Sequence, residues 1–144
     1  MVENVTQLTS VAHVIQLAVA PVFLLTGVGS ILAVLSNRLA RIVDRYRALN
    51  NASEAVRQAH DVEMSVLMRR SKWVNRAITL CTCSALLICI VIAALFVGAQ
   101  MSVDPSNAVS LLFISAMVAL ISGLLCFLRE IFLATGSIIV QSRR

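Results

Sequence analysis

The chain has 144 residues, 59% of them hydrophobic and only 13% charged, with a mean hydropathy of +0.90. A soluble domain of this size is about 45–50% apolar and about 25% charged, so the composition excludes an ordinary water-soluble globule. The net charge of +5 comes without aromatic residues interleaved among the basic ones, and we expect no nucleic-acid partner.

Residues 1–10, MVENVTQLTS, read as a tail outside the membrane. They carry no Lys or Arg, and the apolar run after them is too long for the core of a cleaved secretory signal.

Residues 11–36 form the first uncharged run, long enough for a transmembrane helix. Pro21 removes the backbone bond to Leu17 and predicts a kink. The string TGVGS (26–30) resembles a potassium-filter loop only superficially. Filter carbonyls point from a re-entrant loop, whereas this string lies inside a spanning run. With Thr26 at zero on a helical wheel, Ser30, Ala33, Asn37, Ala40, Arg41, Asp44 and Ala48 fall within about 60° of it. The bulky Val28, Ile31, Leu35, Ile42 and Tyr46 lie opposite. Two readings of this small-to-polar face stand. It is a close-packed seam against another helix, or several copies turn it toward a shared pore or cavity. In the second case Arg38, Arg41 and Arg45 ring the inner mouth, with Asp44 of opposite sign among them.

Residues 37–76 read as a cytoplasmic antiparallel helical hairpin. No Gly or Pro occurs between Ser30 and Val97, and Asn50-Asn51 is the break. Asn51 with Glu54 three residues on resembles a capping box. The first helix is therefore expected to run on to about Leu49, and the second from about Ala52 to Val97, 46 residues or roughly 69 Å. Leu35, Leu39, Ile42, Tyr46 and Leu49 form a stripe on the first arm. Ala55, Ala59, Val62, Val66 and Trp73 are the expected match on the second.

Residues 77–99 are the second span, 100–106 an outer loop and 107–128 the third span, which starts near Pro105–Asn107. Cys81, Cys83, Cys89 and Cys126 read as small buried hydrophobes. Ser115, Ala119 and Gly123 form a small-residue ridge at i, i+4, i+8, and Ala94 with Gly98 repeats it. In 129–144, Arg129 and Glu130 read as an interfacial anchor that snorkels, or as partners of Arg38 or Arg41. The uncharged IFLATGSIIV after them is too short to cross again and extends the helix or lies in the interface.

Nine of the twelve basic residues lie between Asn37 and Arg76, and neither the N-terminal tail nor the loop after span two has any. The positive-inside rule then puts the N-terminus outside and the hairpin and C-terminus in the cytoplasm. The same charges predict contact with anionic lipid.

No catalytic, cofactor-binding or metal-binding set emerges. His13 and Gln16 sit near the outer surface, and His60, Asp61 and Glu63 have the spacing of a solvated face. The sequons at Asn4 and Asn51 are chance-level matches.

The strings APVFLLTGVGSILAVLSNRLARIVDR, AITLCTCSALLICIVIAALF and LLFISAM…FLREI resemble, in this order, a family of small bacterial membrane proteins, domain of unknown function 2721. The resemblance implies a bacterial inner-membrane protein and brings no assigned activity or site residues. The fold class expected is an all-α membrane protein with three transmembrane helices, N-terminus out and C-terminus in. Two functions compete: a non-enzymatic homo-oligomeric scaffold or accessory protein with a protein partner left open, or an oligomeric ion channel lined by the first helix.

Overall fold

Long charge-free runs without internal breakers favour continuous helices, because a backbone in hydrocarbon must satisfy its own hydrogen bonds. The computed structural model describes the backbone of residues 2–101 and 106–141, and side chains over 12–100 and 106–134. It contains helices α1 (Val2–Asn50), α2 (Glu54–Ala59), α3 (Asp61–Met101) and α4 (Ser106–Gln141). There is no strand among the described residues. Three segments, Ala12–Asn50, Asp61–Gln100 and Ser106–Ala134, are long and apolar enough to cross a membrane.

Helix α3 is central: α1 packs along one side of it and α4 along another. The buried residues of α1 follow a line of seven-residue steps, Val14, Pro21, Val28, Leu35, Ile42 and Leu49, with Ala18 buried beside it. On α3 the same period gives Leu67, Val74, Cys81 and Ile88, with a second line through Ala77, Ser84, Val91 and Gly98. A seven-residue repeat keeps facing its partner when helices wind around each other left-handedly, with side chains interlocking. Outside this seam the surface is apolar: Phe23, Leu86, Leu111 and Leu125 are all exposed.

On α4 the buried line is Ala116, Leu120 and Gly123. A Cβ on Gly123 would stand 2.8 Å from Cys81 Sγ and 3.3 Å from the Ala77 carbonyl oxygen, so glycine allows α3 and α4 to approach closely. Nearby, Ser84 Oγ donates to the Ala116 carbonyl across 2.8 Å, both groups buried.

Several expectations shift. Ser115 points outward and bonds the Leu111 carbonyl of its own helix, so the close-packed ridge runs through Ala116 instead. Cys83 and Cys89 are exposed on the outer surface, and only Cys81 is fully buried. The turn between the arms differs as well. Ser53, not Asn51, is the N-cap of α2, without a side-chain cap bond, and Glu54 pairs with Arg57 at 2.9 Å instead of closing a capping box.

A break at His60 divides the expected second helix. There the His60 N–H bonds the Arg57 carbonyl in a tightened turn, while its Nδ1 lies 2.9 Å from the Val56 oxygen. The expected second stripe is out of phase too: Val62 is 80% exposed, and Leu67 and Val74 are buried in its place. The register follows the seven-residue line that continues into the apolar part of α3, and Val62 lies off that line. Past Glu130, α4 continues as helix to Gln141, so IFLATGSIIV extends it. Pro105 and the loop residues 102–105 lie outside the described residues, as do the side chains of the 1–10 tail.

Candidate functional site

The polar groups fall into two sets. The first is the outer face of α1. Because Val28, Leu35 and Ile42 turn toward α3, the residues opposite must turn away. Thr26, Ser30, Ala33, Asn37, Arg41 and Asp44 are all exposed. Thr26 Oγ1 donates to the Val22 carbonyl at 3.3 Å, and Ser30 Oγ to the Thr26 carbonyl at 3.1 Å. Both hydroxyls are thus satisfied by their own helix, a common state for Ser and Thr in apolar surroundings. Nothing stands within 4 Å of where a Cβ on Gly27 or Gly29 would lie, so among the described residues no other helix covers TGVGS on the side away from Val28. Among the described residues, Arg41 and Asp44 make no ion pair.

The second set is a junction where the three apolar runs end. Glu130, on α4 just past Leu128, is fully buried at 0% exposure. Arg70 on α3 donates to its Oε1 from Nε at 3.1 Å and Nη2 at 2.8 Å. Arg38 on α1 donates to Oε2 from Nη1 at 3.2 Å and lies over the Phe127 ring at 5.2 Å. One carboxylate therefore ties all three long helices, with both oxygens used. A buried charge is tolerated only when paired and hydrogen-bonded, and this one meets that condition. On the outer side of the junction, Trp73 receives two more cations. Arg76 and Arg129 lie over its ring at 5.1 and 4.8 Å from the centroid.

The sequence-level alternatives for Glu130 are thereby resolved: it pairs with Arg38 and not with Arg41, while Arg129 stacks on Trp73. Arg70 was not singled out by its position in the sequence. A signal was present, because Arg70 heads the line that continues through Ala77, Ser84 and Val91, and a cation on a buried line needs an anion opposite.

Arg45, grouped with the interfacial charges, lies farther along α1, toward its C-terminal end. Its Nε donates to Glu63 Oε1 at 2.9 Å and its Nη2 to Oε2 at 3.4 Å. That hydrogen bond, and then the charge of Glu63, raise the already high pKa of its guanidinium. Beside it a groove of about 290 Å³ opens between α1 and α3, lined by Ile42, Tyr46, Leu67 and Met68 among others. Among the described residues no group of three His, Cys, Asp or Glu side chains is placed to hold a metal ion.

No curated protein and no solved structure matches the chain. The profile of a protein family of unknown function, DUF2721, does match, over residues 18–140, which takes in both the outer face of α1 and the Glu130 junction. With a match over most of its length, the chain belongs to the DUF2721 family.

Proposed function

We propose that this chain is a non-enzymatic, homo-oligomeric scaffold or accessory protein of the bacterial inner membrane. Its N-terminus faces out, and its basic hairpin and C-terminus face the cytoplasm. Copies meet through the outer face of α1, at Thr26, Ser30, Ala33 and Asn37. One observation carries the reading: the chain leaves this face uncovered although Thr26, Ser30 and Asn37 put polar groups on it at the end of an apolar run. Small residues let two backbones approach, and a polar group uncovered in hydrocarbon is better placed against protein. The self-bonded hydroxyls of Thr26 and Ser30 favour a helix contact over a water-lined pore, since neither needs water to be satisfied. The orientation is supported by the nine basic residues between Asn37 and Arg76 and none in the N-terminal tail. These charges also hold the hairpin against anionic lipid, and a protein partner docks on the same arms.

Native mass spectrometry of the full chain in detergent tests this reading. The expected result is a defined multimer that Ser30→Leu weakens about tenfold, about 1.4 kcal/mol, with the melting of the protomer unchanged. A parent protein that is only monomeric overturns it. A closed ring of four or more copies that conducts ions in liposomes, with conductance altered by Asn37→Leu, selects the channel instead.

A further inference from the structure

We propose that Trp73, Arg76 and Arg129 form a binding site for the phosphate of an anionic phospholipid headgroup. The proposal rests on the membrane-spanning reading and not on the oligomeric one.

Charge placement comes first. Arg38 and Arg70 gather on the Glu130 carboxylate, and Arg76 and Arg129 on the Trp73 ring. Glu130 has both oxygens engaged by Arg38 and Arg70. Among the described residues, Arg76 and Arg129 have no acidic partner. Two like charges over one indole repel each other, and an anion between or beside them removes that repulsion.

Donor geometry agrees. Among the described residues the guanidinium groups of Arg76 and Arg129 donate to no hydrogen-bond acceptor, so their N–H groups are free to donate. Arg76 and Arg129 are both exposed, so these donors are accessible. Paired guanidinium forks match the oxygens of a phosphate.

The apolar surroundings point to a lipid as the source of that phosphate. Arg76 precedes the charge-free run of α3, and Arg129 follows that of α4, so the cations stand at its border. Tryptophan is enriched at that depth in membrane proteins. Ile121, Leu125 and Arg129 follow one another at i, i+4 and i+8 on one exposed ridge of α4, two apolar side chains leading to a cation. Acyl chains lying along Ile121 and Leu125 would bring a headgroup to Arg129. A free phosphate has no use for such a ridge.

The test is native mass spectrometry of the full chain in detergent, titrated with phosphatidylglycerol or phosphatidylcholine. The expected result is a phosphatidylglycerol adduct on each protomer, retained better than phosphatidylcholine. Arg76→Lys/Arg129→Lys keeps the charge but loses the planar forks, and should weaken retention at least about tenfold. Trp73→Leu should act in the same direction. Arg47→Lys/Arg69→Lys preserves the diffuse positive charge that draws the basic segment to anionic lipid and removes no fork beside the ring, so it should leave retention of the bound phosphatidylglycerol unchanged.

Parent-like retention in the Arg76→Lys/Arg129→Lys variant overturns the proposal, as does equal retention of the two lipids. Displacement of the lipid by millimolar inorganic phosphate overturns the lipid source and assigns the site to a soluble anion. If Trp73→Leu melts early, the exposed arginine pair still decides. Adducts are counted per protomer, so a monomeric parent carrying phosphatidylglycerol sinks the oligomer reading and leaves this site standing.

Discussion

Glu130 and Asn37 both lie at the ends of apolar runs, yet the fold buries the first completely and leaves the second exposed. The difference lies in what the same chain can supply opposite each. Glu130 meets Arg70 and Arg38, so its burial joins three helices. Asn37 and its neighbours Thr26, Ser30 and Arg41 are exposed, with no other helix among the described residues covering them. Polar groups satisfied within the protomer contribute to its stability. Those left outside join no second helix of the protomer, and in the proposed reading they act through contacts between molecules.

Substitutions can break or sharpen this contrast. The largest effect should come from Glu130→Gln, which leaves two arginines facing a neutral amide. We expect a loss of about 3 kcal/mol, at the lower end for a broken buried pair because Arg38 is partly exposed. Thermal unfolding in detergent followed by circular dichroism reads this, and exchanging Glu130 and Arg70 together for Met should recover most of it.

Next is Gly123→Val, whose added carbons meet Cys81 and the Ala77 backbone. Overpacking should cost about 2 kcal/mol in the same melt. Ser84→Ala removes the bond to the Ala116 carbonyl and should cost about 0.6 kcal/mol, near the average for hydrogen bonds between membrane helices. The smallest effect is expected for Gly29→Ala, which meets nothing within 4 Å and should gain about 0.5 kcal/mol in helix stability. A loss at Gly29 as large as that at Gly123 would erase the contrast between the inner and outer faces.

Much of the fold could be read in the sequence because length and lack of charge suffice to mark spanning helices. The inner stripe of α1 was legible for a similar reason: Leu35, Ile42 and Leu49 repeat without a polar interruption. Its partner on α3 was not. Arg70 sits between Leu67 and Val74 on the buried face and breaks the apolar pattern. It makes sense there only with Glu130, 60 residues further on in sequence. Ser84 was hidden likewise, since its partner is a backbone oxygen that any residue could provide. Gly123 could be recognised as a small contact residue, but a four-residue step was followed where the helices use seven, which brought in Ser115 in place of Ala116. The break at His60 left no Gly or Pro to mark it and depends on local hydrogen bonding.

A chain emerges from the ribosome N-terminus first, so Arg38 and Arg70 exist before Glu130 is synthesised. Until α4 arrives, two arginines at the edge of the apolar layer have no anion to meet them. Helix α4 therefore closes the junction like a latch. A nascent chain stopped before residue 129 would hold α1 and α3 with Arg38 and Arg70 lacking the carboxylate that joins them.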